Sequence, residues 1–196
     1  KVLYVHAHGP GLLHTVKPVR NLKDLKGLKI RATGLSGEIV KALGAVPVGL
    51  AQGETYEALQ RGTAEGTFGP IEVLKGWKQA EVVKSTTDCY NVGYTTAMFV
   101  VMNKTKWESL PEDIKKIFEE TSSEWVLKHG EIWDKIDAEG REYTVSWKNQ
   151  IISLDDKEKE EWNKRVAPVI QDYIKNTPDG EKYISSLREL LTKHLK

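Results

Sequence analysis

Residues 22–34 read LKDLKGLKIRATG, and the place of Arg31 in that stretch decides how the chain is read. The segment turns at Gly27 and runs Leu28-Lys29-Ile30-Arg31-Ala32-Thr33 into Gly34. Period-two alternation puts Leu28, Ile30 and Ala32 on one face of a strand and Lys29, Arg31 and Thr33 on the other. Taken alone, the pattern describes a half-exposed strand with Lys29 and Arg31 in water. The other reading, an arginine held at a strand end for an anion, depends on the surrounding chain.

Downstream, SGEIVKALG is a helix with Ile39, Val40 and Leu43 on one face and Gly44 as its stop. VPVGL is a short strand, GETYEALQRG a helix, and AEGTFG a strand or turn. Pro70 can open a helix over PIEVLKGWKQAEVV. Upstream, KVLYVHA is a strand and HGPGLLHT a Gly/Pro loop with room for a helical turn. This βαβα rhythm predicts an α/β domain with a largely parallel sheet.

The middle of the chain differs. STTDCYNV and TTAMFVVMN are rich in β-branched and aromatic residues and predict two strands. Pro111 can begin a helix, and Ile114, Phe118, Thr121, Trp125, Ile132, Ile136, Tyr143 and Trp147 then recur every three to four residues. A helix over 112–147 would be ~50 Å long, with Gly130 and Gly140 as points where it could bend or break. Such a helix suits a bridge between two bodies. The tail reads as a strand, QIISL, a helix capped by Asp155 or Asp156, a PDG turn and a last amphipathic helix. The six tryptophans mostly lie in helical stripes and read as packing.

Composition excludes several classes. With 196 residues, 39% hydrophobic and 29% charged, the chain can build a real core. Its net charge of +1 and interleaved charges give no case for nucleic acid or an anionic membrane. No apolar run approaches the ~18–20 residues of a membrane span. No signal peptide is recognised, and the chain opens on an apparent strand, as a mature protein or a fragment would. The single Cys89 cannot form an internal disulfide and reads as a buried strand residue.

Chemical motifs are sparse. His6 and His8 share a strand face and His14 lies one loop away, but no acid or cysteine joins them at metal-ligand spacing. HGPG is neither a dinucleotide fingerprint nor a P-loop. No nucleophile elbow or triad can be placed from spacing.

The order of four segments is more specific. LKDLKGLKIRATG, ALGAVPV, ETYEALQRGTAEG and MNKTKWESLPEDI follow one another as landmarks do in one family. The chain resembles, along essentially its whole length, the DctP-type solute-binding proteins of tripartite ATP-independent periplasmic (TRAP) transporters. The resemblance implies an α/β fold, a periplasmic-binding-protein-like lobe with hinge strands and a long bridging helix. It implies a second ligand-binding lobe from 1–94 and 148–196, with a hinge strand, a remnant of the first lobe and the bridging helix over 95–147. Most of the N-terminal lobe is then absent. In that family the arginine of DLKGLK-x-R binds a ligand carboxylate, and Arg31 holds that position. A guanidinium offers a rigid fork of donors that matches a carboxylate.

Other implied contacts are Thr33, Thr67, Phe68 and Gly69, with His8 and His14 where some members carry a second basic residue. Gly69 stands where an asparagine is frequent, pointing to a different head group, a bulkier ligand or a backbone contact, and Glu65 stands where aspartate is usual. Thr95, Thr96 and Ala97 replace the residues with which some members bind a metal, so neither metal nor cofactor is expected. The implied function is capture of a small organic acid in the periplasm and delivery to TRAP membrane subunits, without covalent chemistry. Surface left bare by the missing lobe would favour a homodimer. The alternatives are a ligand-sensing module, an enzyme using His6, His8, His14 and Glu54, and a structural domain in which Arg31 serves an internal salt bridge.

Overall fold

The structure is a computed structural model and describes residues 1–194. The elements in chain order are β1 (Val2–Ala7), β2 (Gly11–Thr15), α1 (Leu22–Leu25), β3 (Lys29–Arg31), α2 (Leu35–Ala42), β4 (Val46–Val48), α3 (Thr55–Gln60), β5 (Gly66–Pro70) and α4 (Val73–Gly76). There follow β6 (Ser85–Asp88), β7 (Ala97–Val101), α5 (Lys104–Glu108), α6 (Glu112–Ser146), β8 (Gln150–Ser153), α7 (Asp156–Asn176) and α8 (Gly180–His194). Six strands form one sheet in the order β4-β3-β5-β2-β6-β8, and β1 pairs with β7 as a separate antiparallel ribbon.

The sheet is mixed rather than largely parallel. β3 runs parallel to β4 and β5, and β6 to β8, but β2 lies antiparallel between β5 and β6. The predicted loop over HGPGLLHT is therefore wrong for its second half, which is a central strand. The reason is burial on both faces. Leu12 packs with Leu59, Ile71 and Leu74, while its neighbour Leu13 packs with Ile30, Phe68 and Trp162. A strand apolar on both faces shows no alternation, and its flanking glycines read as a loop. Pro70 ends β5 instead of opening a helix, and α4 begins at Val73. Cys89 is buried as expected, just past the end of β6.

Helix α2 and Trp162 of α7 cover one face of the sheet; α3, α4 and Tyr143 of α6 cover the other. From β3 the chain crosses over α2 to β4 on one side, then over α3 to β5 on the other. The strand order thus reverses between β3 and β5, and the carboxyl ends of those strands are where open α/β sheets place ligands.

Helix α6 runs unbroken for 35 residues, through Gly130 and Gly140. Its C-terminal half docks on the β5–α4 corner. Asp137 Oδ1 accepts from Glu72 N at 3.2 Å, Lys75 pairs with Glu139 at 2.7 Å, and Arg141 donates to both oxygens of Asp88 at 3.0 and 3.3 Å. Gly140 permits the approach, since a Cβ there would stand 2.5 Å from the Ile71 carbonyl oxygen. Further towards its N-terminus, α6 packs on β1: His129 stacks on His6 at 4.3 Å, and Trp133 Nε1 donates to His6 Nδ1 at 3.2 Å. Much of its predicted stripe is nevertheless uncovered. Leu127 is 72% exposed and Phe99 of β7 68%, and Ile114, Phe118, Trp125 and Ile132 are exposed too. Among the tryptophans Trp162 is a core residue, whereas Trp77, Trp125 and Trp147 are exposed. No helix among the described residues is long and apolar enough to cross a membrane.

Candidate functional site

Arg31 is the last residue of β3. Gly34, at φ 54°, turns the chain into α2, and Ser36 braces the turn by donating to the Thr33 carbonyl at 2.7 Å and accepting from Thr33 N at 3.1 Å. Pairing across the sheet sets Arg31 beside Thr67, Thr67 beside His14, and His14 beside Thr86. These four form one row. Gly69 lies two residues further along β5, on the same face by alternation.

Arg31 is only 9% exposed. Its Nε donates to the Leu50 carbonyl at 3.0 Å, which fixes the plane of the guanidinium. Neither terminal nitrogen has a hydrogen-bond partner, and no carboxylate lies within 4.0 Å of it, among the described residues. Burial pulls its pKa below the usual arginine value, against the pull of nearby Tyr94. A buried cation without a counter-ion carries a desolvation cost of several kcal/mol that an arriving anion offsets (order of magnitude).

The remaining predicted residues divide. Thr67 belongs to the row and is buried. Thr33 is exposed at the rim of the turn. Phe68 points to the opposite face and packs with Leu13 and Ile30, so it supports the strand from beneath and offers no direct wall. His14 is also a correction. It is fully buried, and its Nε2–H donates to the Gly69 carbonyl at 3.0 Å while Nδ1 accepts from the Thr86 hydroxyl at 2.9 Å. Both ring nitrogens are occupied within the protein, and burial pushes its pKa down to about 4. His8 sits on the loop after β1, edge-on to Tyr94 at 5.5 Å. His6 packs on α6, and Glu54 accepts from Ala51 N on an exposed turn, so the residues considered for an enzyme do not converge.

Sequence reading missed Tyr94. Its hydroxyl donates to the Phe68 carbonyl at 3.0 Å, and its ring packs on Phe68 at 5.0 Å. Burial pushes its pKa up, while Ser36 and the Arg31 cation pull the other way. The available signal was the glycine pattern of HGPG. A Cβ on Gly11 would lie 2.3 Å from the Tyr94 ring, and one on Gly9 would overlap the Asp137 carboxylate. The two glycines are gaps for these partners. The described concavities do not supply a closed pocket here; one of about 300 Å³ lies beside α3, lined by Leu28, Leu59 and Glu65. Arg31 stands at the carboxyl end of β3, with its Nε on the Leu50 carbonyl.

A family model described as DctP, bacterial extracellular solute-binding protein, family 7, matches residues 1–176. The chain belongs to that family. It is 37% identical over 110 residues to the C4-dicarboxylate-binding periplasmic protein DctP of Rhodobacter capsulatus, covering 55% of this chain and 32% of that protein. A marine-metagenome TRAP solute-binding protein solved with metahydroxyphenylacetate superposes with a TM-score of 0.93 at 29% identity, covering 100% of this chain and 64% of that one. A Rhodoferax ferrireducens TRAP solute-binding protein with benzoate gives 0.87 at 31% identity, covering 99% and 63%. The periplasmic-binding-protein-like fold with its long helix is therefore that of TRAP receptors. The chain spans 32% and 48% of two curated DctP relatives it matches.

Proposed function

We propose that this chain forms one wall and the hinge of a periplasmic receptor that captures a small organic acid for a TRAP-type transporter. The observation that carries the reading is Arg31. Its guanidinium is buried, held flat by Leu50, and has both terminal nitrogens free at the switch point between β3 and β5. A carboxylate is the planar two-oxygen anion that fits such a fork. The ligands of relatives support this class: metahydroxyphenylacetate, benzoate, mandelate and glucuronate all carry a carboxylate.

In this reading residues 1–94 and 148–196 build one lobe, and 95–147 the hinge strand, part of the other lobe and the bridging helix. The rest of the whole protein supplies the opposite wall. The bare apolar surface of β1, β7 and α6 is covered by that part, or by a second copy where it is lacking. The direct ligand contacts are Arg31, Thr33, Thr67, Gly69, Tyr94 and His8; His14 and Phe68 act by holding β5. Binding is reversible, with closure of the second wall excluding water and strengthening the ion pair. Among the described residues, His6, His8, His14 and Glu54 do not come together as an acid/base set. A thermal-shift screen of the full-length protein against small carboxylates, with Arg31→Ala as control, tests the reading. A shift that Arg31→Ala removes supports it; shifts that persist in Arg31→Ala refute it.

A further inference from the structure

We propose that α8 is a docking surface for a second copy of this chain, and that two copies pair through their α8 helices in an antiparallel, two-fold arrangement. This surface is separate from the row around Arg31 and from the bare face of β1, β7 and α6.

Little of α8 is used within one chain. Gly180 is buried against α7, where a Cβ would stand 2.8 Å from the Ile174 carbonyl oxygen, and Ile184 is half-buried. The rest of the helix is exposed. That includes Tyr183, Leu187, Leu190 and Leu191, each about half exposed. They recur at three- and four-residue spacing and make one apolar stripe. A helix of 15 residues is marginal in water by itself and depends on burying such a stripe.

The stripe lies away from the surface that the rest of the protein covers. α7 sits with α2 on one face of the six-stranded sheet, and α6 docks on the other. α8 packs on α7. A body that covers β1, β7 and α6 therefore meets a different side of the molecule. α8 also begins after residue 176, where the match to the family model ends.

Charge selects the occupant. The helix mixes Glu181 and Glu189 with Lys182, Arg188 and Lys193, which gives no basic face for anionic lipid. With Leu187 at position a of a heptad and Tyr183 and Leu190 at d, Asp179 and Lys193 both fall at g. They thus stand on one flank of the stripe, two heptads apart and opposite in sign. Neither is in an ion pair among the described residues. In an antiparallel pair the g positions of the two helices face each other. Asp179 of each copy then meets Lys193 of the other, while Leu187 meets Tyr183. The stripe and its flank are self-complementary, as a two-fold interface requires. The face is small, so the dimer is weak and depends on concentration.

Sedimentation velocity of the full-length protein over a concentration series tests the proposal. Variants Leu187→Glu, Asp179→Lys, Lys193→Asp and the double exchange Asp179→Lys/Lys193→Asp go alongside, with melting temperatures recorded at dilution. The expected result is a dimer that Leu187→Glu abolishes without changing the melting temperature. Each single exchange sets two like-charge pairs across the interface and should weaken the dimer about tenfold, and the double exchange should restore it. Should Leu187→Glu fail to fold, Leu190→Gln carries the same expectation in direction. A protein that stays monomeric at every concentration overturns the proposal. So does a dimer that survives both leucine variants, since its interface then lies elsewhere. Single exchanges without effect overturn the antiparallel pairing. A monomer whose melting temperature falls in Leu187→Glu would assign the stripe to the rest of its own chain. Cosedimentation of a monomer with phosphatidylglycerol vesicles, lost in Leu187→Glu, would assign it to a membrane; either result overturns the second copy.

Discussion

Acidification acts on this fold through two groups of opposite sign, and separating them tests the account of the core beneath Arg31. His14 is fully buried, and its pKa falls from 6.5 to about 4 because burial disfavours the imidazolium. Between these values the unfolded chain holds a proton that the folded chain refuses. The stability tied to neutral His14 is therefore complete above pH 6.5 and is lost as pH falls towards 4. The shift corresponds to about 3 kcal/mol at full expression and about 2 kcal/mol at pH 5. Glu72 behaves oppositely. Burial first, and Asp137 second, push its carboxyl up to about 7 from 4.5. Here the folded chain holds the proton that the unfolded chain has lost, so acidifying from pH 7 to 4.5 adds stability. Wild type should consequently show a shallow profile in urea unfolding between pH 7.5 and 5. His14→Gln should lose the acid-labile part, so that its stability rises on acidification relative to wild type. Glu72→Gln should tilt the profile the other way, exposing the full His14 loss of about 2 kcal/mol at pH 5. Parallel profiles for His14→Gln and wild type would refute the buried, neutral His14 on which the Gly69 carbonyl depends.

Three further outcomes follow from packing. Gly140→Ala should destabilise by about 1–3 kcal/mol in urea unfolding, because the methyl meets the Ile71 carbonyl; a gain of about 1 kcal/mol, usual for alanine in a helix, would contradict the docking of α6. Tyr94→Phe leaves the Phe68 carbonyl without its hydroxyl donor and should cost about 1 kcal/mol by the same assay, while Gly11→Ala, driven into the Tyr94 ring, should cost more. Trp133 donates to an unprotonated His6 Nδ1, and burial and His129 hold the His6 pKa below 6.5. Tryptophan fluorescence should therefore shift at a pH below 6.5 as that bond breaks, and His6→Gln should remove the transition.

The parts of the fold that alternate were legible in the sequence. β3 and α6 were placed closely because period-two and 3.6-residue patterns survive wherever one face is buried and the other wet. β2 was not, because Leu12 and Leu13 each enter a different core and erase the alternation. Arg31 was found through the order of segments around it, while its lack of a counter-ion could be read only in three dimensions. Tyr94 was hidden because its role comes from Gly11, more than eighty residues earlier, and from a hydrogen bond to a backbone carbonyl that no side-chain pattern records. His14 was given a ligand role because some family members carry a second basic residue in its segment; its row neighbours Thr67 and Thr86, which make it a core residue, are set by strand register.

The central claim is that Arg31 receives the carboxylate of a captured acid. A crystal structure of the full-length protein with its bound acid measures this directly. The account predicts both terminal nitrogens of Arg31 within about 3 Å of the two carboxylate oxygens, with Nε still on the Leu50 carbonyl. An Arg31 paired instead with an aspartate or glutamate of the remaining protein, and a ligand carboxylate held elsewhere, would contradict it.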